Sequence, residues 1–147
     1  MANCFGVQKQ QYPKKISCFP VVIENCLSSG LGWKGGGKTM DLKTANDIFT
    51  SIRETSLTSL KDELIAKAVR YARIRTDWYF MSMEERRNID PARTLAHDSF
   101  ISSCNILSRN MAKAGEDNSW RAALGDDRKV IGDFACHLHA ILGILSR

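Results

Sequence analysis

The chain has 147 residues, room for one domain, which argues against a two-domain enzyme. Hydrophobic residues make up 44% and charged residues 25%, a balance that excludes a wholly disordered or fibrous chain. The formal charge of +5 taken alone points to an acidic partner such as nucleic acid, yet residues 1–39 hold five lysines against one glutamate, while residues 40–147 hold 16 basic and 15 acidic side chains. The excess charge therefore sits in the first quarter of the chain.

Residues 1–39 carry two of the three prolines, six of the ten glycines and no helical period, and read as a disordered leader. Lys9, Lys14 and Lys15 are followed by no long apolar block, since Glu24 and Asn25 interrupt the one at Phe19–Ile23, so a secretory signal is not expected. No stretch reaches the roughly 18 apolar residues of a membrane span, and the expectation is a protein without a membrane partner. Cys4, Cys18, Cys26, Cys104 and Cys136 form no CxxC pair, which favours reduced thiols and a cytoplasmic location over a disulfide framework.

At the end of the leader, Gly32-Trp33-Lys34-Gly35-Gly36-Gly37-Lys38-Thr39 matches the phosphate-binding loop pattern, with Gly32, Gly37, Lys38 and Thr39 as its defining positions. Such a loop must sit between a buried parallel strand and a helix. Cys26 to Leu31 make a poor central strand, and no alternation of strands and helices follows, so the match reads as a decoy and nucleotide binding as the weakest of the functional alternatives. Codons for Lys34-Gly35-Gly36 can spell a purine-rich ribosome-binding site a short distance before Met40. The expectation is a translated upstream segment with the native start at Met40, a helical bundle domain over residues 40–147, and bundle helices from Leu57 onward; the nucleotide sequence before Met40 checks the first of these.

The spacing Leu57, Leu60, Leu64, Ala68, Tyr71, Arg75, Trp78 predicts a first long helix, capped by Thr55 or Ser56. Ser82-Met83-Glu84-Glu85 is a capping box that opens a short second helix through Arg87. Asp90-Pro91 then reads as the start of a second long helix with the stripe Leu95, Phe100, Ser103, Leu107, Met111, Ala114, closed at Gly115 by a left-handed cap. A polar loop from Glu116 to Gly125 holds a single helical turn around Trp120. Asp126-Asp127 places negative charge at the start of a last helix with the stripe Val130, Phe134, Leu138, Ile141, Leu145. The fold expected is all-α: a small antiparallel bundle of three long helices and one or two short ones.

Among chemistry-bearing side chains, His97, Asp133 and His137 are the candidates for a metal or acid-base cluster, although the Glu-x-x-His steps of bundle metal sites are absent. His137 and His139 are two positions apart and face different ways. Arg93 and His97 resemble the arginine-histidine signature of small helical ribonucleases of toxin systems, but the gap of three residues is shorter than that family's, and an i, i+4 pair is the simpler expectation. Arg70, Arg73, Trp78, Arg86, Arg87 and Trp120 are the candidates for a partner surface. Asp77, Glu84, Glu85 and Asp90 among them point to paired helix surfaces more than to a nucleic-acid patch.

In Arg70-Tyr71-Ala72-Arg73 with Trp78, in Arg93 to His97 with Phe100-Ile101 and Asn105-Ile106-Leu107, and in Arg128 to Cys136, the sequence resembles a small bacterial helical family catalogued without known function. The resemblance spans residues 57–147 and implies a bacterial, all-helical protein with no catalytic residues to carry over. Together these readings give a non-enzymatic module that needs no cofactor and binds another protein or acts in regulation, with nucleic-acid binding through arginine-rich helix faces as the alternative.

Overall fold

The computed structural model describes residues 38–145, which form five helices and no strand. Helix α1 spans Leu42–Arg53, α2 Thr58–Phe80, α3 Met83–Lys113, α4 Ser119–Leu124 and α5 Arg128–Leu145. The all-α expectation holds. Helix α2 is the hub: it packs most extensively on α3 and next on α5, while α1 lies against α5 and α4.

Helix α1 was not expected, because the bundle was read as starting at Leu57. Its signals are present nonetheless. Asp41 caps it by accepting from the Thr44 amide at 2.7 Å, and Ala45, Ile48, Phe49 and Ile52, spaced three and four apart, are all buried. The core extends back to Met40, whose side chain is also buried and whose carbonyl accepts a hydrogen bond from His137 Nε2 at 2.9 Å.

A second correction concerns Pro91, which starts no helix. The short helix expected through Arg87 and the long one expected from Asp90 are a single helix of 31 residues with Pro91 inside it. Proline removes one backbone donor, and here the carbonyl that loses its partner belongs to Arg87. Both residues are exposed, so water can replace the missing bond. Asp90 is consequently no cap and pairs with Arg93 instead.

The other helix ends follow local chemistry. Both halves of the Ser82/Glu85 capping box are formed. Gly115 has φ +74° and closes α3 with the Gly115 amide on the Ala112 carbonyl and the Glu116 amide on the Met111 carbonyl, the paired bonds of a Schellman cap. Asp127 accepts from the Lys129 and Val130 amides at the head of α5. Thr55 and Ser56 do not cap α2; their hydroxyls both donate to the Glu116 carboxylate, which the Ser56 amide also reaches at 3.0 Å. This ties the α1–α2 turn to the loop after α3.

The centre of the bundle is aromatic and aliphatic. Phe100 stacks on Phe134 at 6.2 Å, and Leu64, Leu107, Leu124 and Leu138 are fully enclosed around them. Burying side chains of this size contributes roughly 1.5–3 kcal/mol each. Among the described residues no helix is long and apolar enough to cross a membrane.

Candidate functional site

The turn from α2 to α3 is only Met81 and Ser82 long, so α3 folds straight back along α2. The stripe that buries Leu64, Ala68 and Tyr71 leaves the last two residues of α2, Tyr79 and Phe80, pointing away from the core. Tyr79 is 50% exposed, Phe80 74% and Met83, the first residue of α3, 65%. Three large apolar side chains within five positions thus stand in water at one end of the bundle.

The backbone under them is held firmly. Arg86 donates from Nε to the Trp78 carbonyl at 2.9 Å, which the Met81 amide also reaches at 3.3 Å, and from Nη2 to the Tyr79 carbonyl at 3.0 Å, capping the end of α2. Its guanidinium carbon also lies 4.3 Å from the centre of the Trp78 ring, and that of Arg93 lies 4.4 Å from the same ring. Arg93 is fixed again by Asp90, with Nε and Nη2 each 3.0 Å from Oδ1. Arg86, a candidate for the partner surface, and Arg93 are therefore occupied in building the turn.

Further along α3 a shallow groove opens against the first turn of α5, lined by Arg87, Arg93, Thr94, Asp98 and Arg128 among others. Arg128 Nη2 donates to the Thr94 hydroxyl at 3.2 Å. Burial pushes the Tyr71 phenol above its usual range, and the positive charges of Arg75, Arg128 and Arg93 nearby oppose that rise.

The metal candidates do not converge. His97 is buried, donates from Nδ1 to its neighbour Asp98 at 2.9 Å and meets Tyr71 edge-on at 5.5 Å. Asp133 pairs with Arg75 at 2.9 Å, and His137 is occupied by the Met40 carbonyl. Each is therefore engaged with a different partner, and no group of three potential ligands forms among the described residues. Arg93 and His97 turn to different partners, Asp90 with Trp78 and Asp98 respectively, so the expected i, i+4 pair is absent. His139 is half-buried, and that burial, with Arg73 beside it, pushes its pKa down.

Trp120 leaves the list of partner-facing residues: it is 3% exposed and its indole Nε1 donates to Met111 Sδ at 3.3 Å, inside the core. Arg70 and Arg73 are exposed on α2, and Arg87 is exposed on α3. Gly32 and Gly37 lie outside the described residues. Lys38 and Thr39 are exposed and non-helical; the helix that follows begins only at Leu42, after its own aspartate cap, so they do not open a helix as a phosphate-binding loop does.

Sequence reasoning missed Phe80, Met83 and Arg128, and it placed Leu95 and Ala114 on the apolar stripe of the second long helix, whereas both are exposed because the buried face of α3 runs through Ala96, Phe100, Cys104, Leu107 and Met111. For Phe80 a signal existed: the stripe of α2 ends at Trp78, and an aromatic residue two positions past it has no core left to enter. Met83 was absorbed into the capping box, and the role of Arg128 depends on which helix it approaches. No protein-family model, curated protein or solved structure matches the chain.

Proposed function

We propose that residues 40–147 act as a non-enzymatic protein-binding module that docks through the turn between α2 and α3. The observation carrying this reading is the exposure of Tyr79, Phe80 and Met83 on a turn fixed by Arg86 and the capping box. Covering three such side chains with a partner releases their hydration water, and a turn already rigid loses little entropy on binding. Aromatic and methionine side chains are also the types enriched where partners meet. Nucleic-acid binding draws less support, because Arg86 and Arg93 are committed to backbone carbonyls, Asp90 and the face of Trp78.

Photo-crosslinking tests the proposal. A benzoyl-phenylalanine analogue in place of Phe80, irradiated in producing cells, is expected to give a discrete protein adduct. The same analogue in place of Lys43, an exposed residue on α1, is expected to give none. No adduct at position 80, or the same adducts at both positions, would sink the reading.

A further inference from the structure

We propose that the groove between α3 and the first turn of α5 binds a single phosphoryl group carried by a phosphorylated protein segment. The carrier part of this inference rests on the protein-binding reading above; the phosphoryl site stands on its own geometry. Arg87, Arg93 and Arg128 reach the groove from two helices. Guanidinium forks match the oxygens of a phosphoryl group in pairs, and the match is strongest when the forks are oriented beforehand. Here Arg93 is oriented by Asp90 and the Trp78 ring, and Arg128 by the Thr94 hydroxyl. Neither Arg87 nor Arg128 forms an ion pair with a carboxylate of the described residues, so their charge is available to an incoming anion.

Two features select among phosphate carriers. Asp90 and Asp98 line the same groove, with side chains 46% and 63% exposed, and would repel the further phosphates of a nucleic-acid strand running along it. One isolated phosphoryl group meets Arg87 and Arg128, with the Asp90-held Arg93 beside them, and faces the two carboxylates once rather than at every phosphate along a strand. Met83, Arg87, Asp90 and Thr94 follow steps of four, three and four, so Met83 of the apolar turn shares a face of α3 with three residues of the groove. Leu95, also in the groove and 66% exposed, extends an apolar shelf beside the arginines. A peptide segment with an apolar anchor and one phosphorylated side chain fits that sequence of surfaces.

The test uses the full chain with phenyl phosphate, a phosphomonoester on an aromatic body, and follows the arginine Nε–Hε resonances. Saturable movement of Arg87, Arg93 and Arg128 is expected, and Arg87→Gln or Arg128→Gln, both at exposed positions, is expected to weaken binding about tenfold or more. Phe80→Ser is expected to leave phenyl phosphate binding unchanged, so failure of the groove and failure of the turn are read separately. No movement at about 20 mM, well past a millimolar dissociation constant, overturns the site. So does unchanged binding in both glutamine variants. A single-stranded oligonucleotide that displaces phenyl phosphate and itself depends on Arg87 and Arg128 would overturn the protein carrier in favour of nucleic acid.

Discussion

Arg75 on α2 and Asp133 on α5 meet at 2.9 Å between Nη2 and Oδ1, with side chains only 18% and 19% exposed. The pair crosses 58 positions of sequence and stands beside Cys136, whose sulfur lies 3.8 Å from Arg75 Nη1. Removing one partner strands the other charge in a poorly hydrated place. Asp133→Ala is therefore expected to cost about 3 kcal/mol, read as a lower urea midpoint at unchanged slope. Replacing both partners, as in R75M with D133L, is expected to cost less than Asp133→Ala alone.

Gly132 is where α5 makes room for that pair. A Cβ placed there would lie 2.6 Å from Arg75 Nη1, far inside contact distance. Alanine is the better helix former by about 1 kcal/mol, so on an open helix Gly132→Ala would stabilise. Here a net loss of about 1–2 kcal/mol is expected from displacing a guanidinium that Asp133 holds. In the Arg75→Ala background the same substitution should become neutral or favourable, a sign change that a double-mutant cycle measures.

Glu116 makes stability depend on acid. Hydrogen bonds from the Ser56 hydroxyl first, then the Thr55 hydroxyl and the Ser56 amide, hold its pKa below the ordinary value of 4.5. A carboxylate depressed in the folded state stabilises fully above its unfolded pKa, and that contribution disappears as pH falls through the folded one. Melting curves of Glu116→Gln should thus fall below those of the parent chain at pH 7 and converge with them well below pH 4.5. Parallel curves over the whole range would contradict the assignment.

Cys104 lies within the core, and burial pushes its thiol up to about 12. The thiolate is the reactive form, so the native protein offers almost none of it. Iodoacetamide at pH 8, with modified positions identified by mass spectrometry, should leave Cys104 unmodified until denaturant unfolds the bundle.

Helix α1 should behave as core structure. Ile52 is fully buried, and Ile52→Ala is expected to cost about 2–5 kcal/mol, a range set by how far the site can collapse. A chain starting at Met40 is expected to unfold in one cooperative transition, whereas one starting at Leu57 loses Ile48, Phe49 and Ile52 and should unfold broadly. Equal melting of the two would show α1 to be peripheral.

Three helix ends were legible because capping is local. Ser82 with Glu85, Gly115 at positive φ and Asp127 before α5 each satisfy orphan backbone groups within a few positions of themselves. Pro91 misled for the complementary reason. Whether a missing donor ends a helix depends on what surrounds the freed carbonyl, and the exposure of Arg87 is a property of the folded surface.

By itself the sequence determined the class of this protein and most of its helices, since a three-and-four repeat of apolar side chains forces a helix with one buried face. Tertiary structure alone decided which polar residues are structural and which are free to act. Arg75 is spent on Asp133, Arg86 on the carbonyls that end α2, and His137 on the Met40 carbonyl, 97 positions away. Among the described residues Arg87, Phe80 and Met83 stay exposed, and so does Arg128, whose hydrogen bond to the Thr94 hydroxyl leaves its charge at the surface. Side-chain chemistry is written in the sequence, but partnership across dozens of positions is a matter of distance, and distance exists only once α2, α3 and α5 have packed.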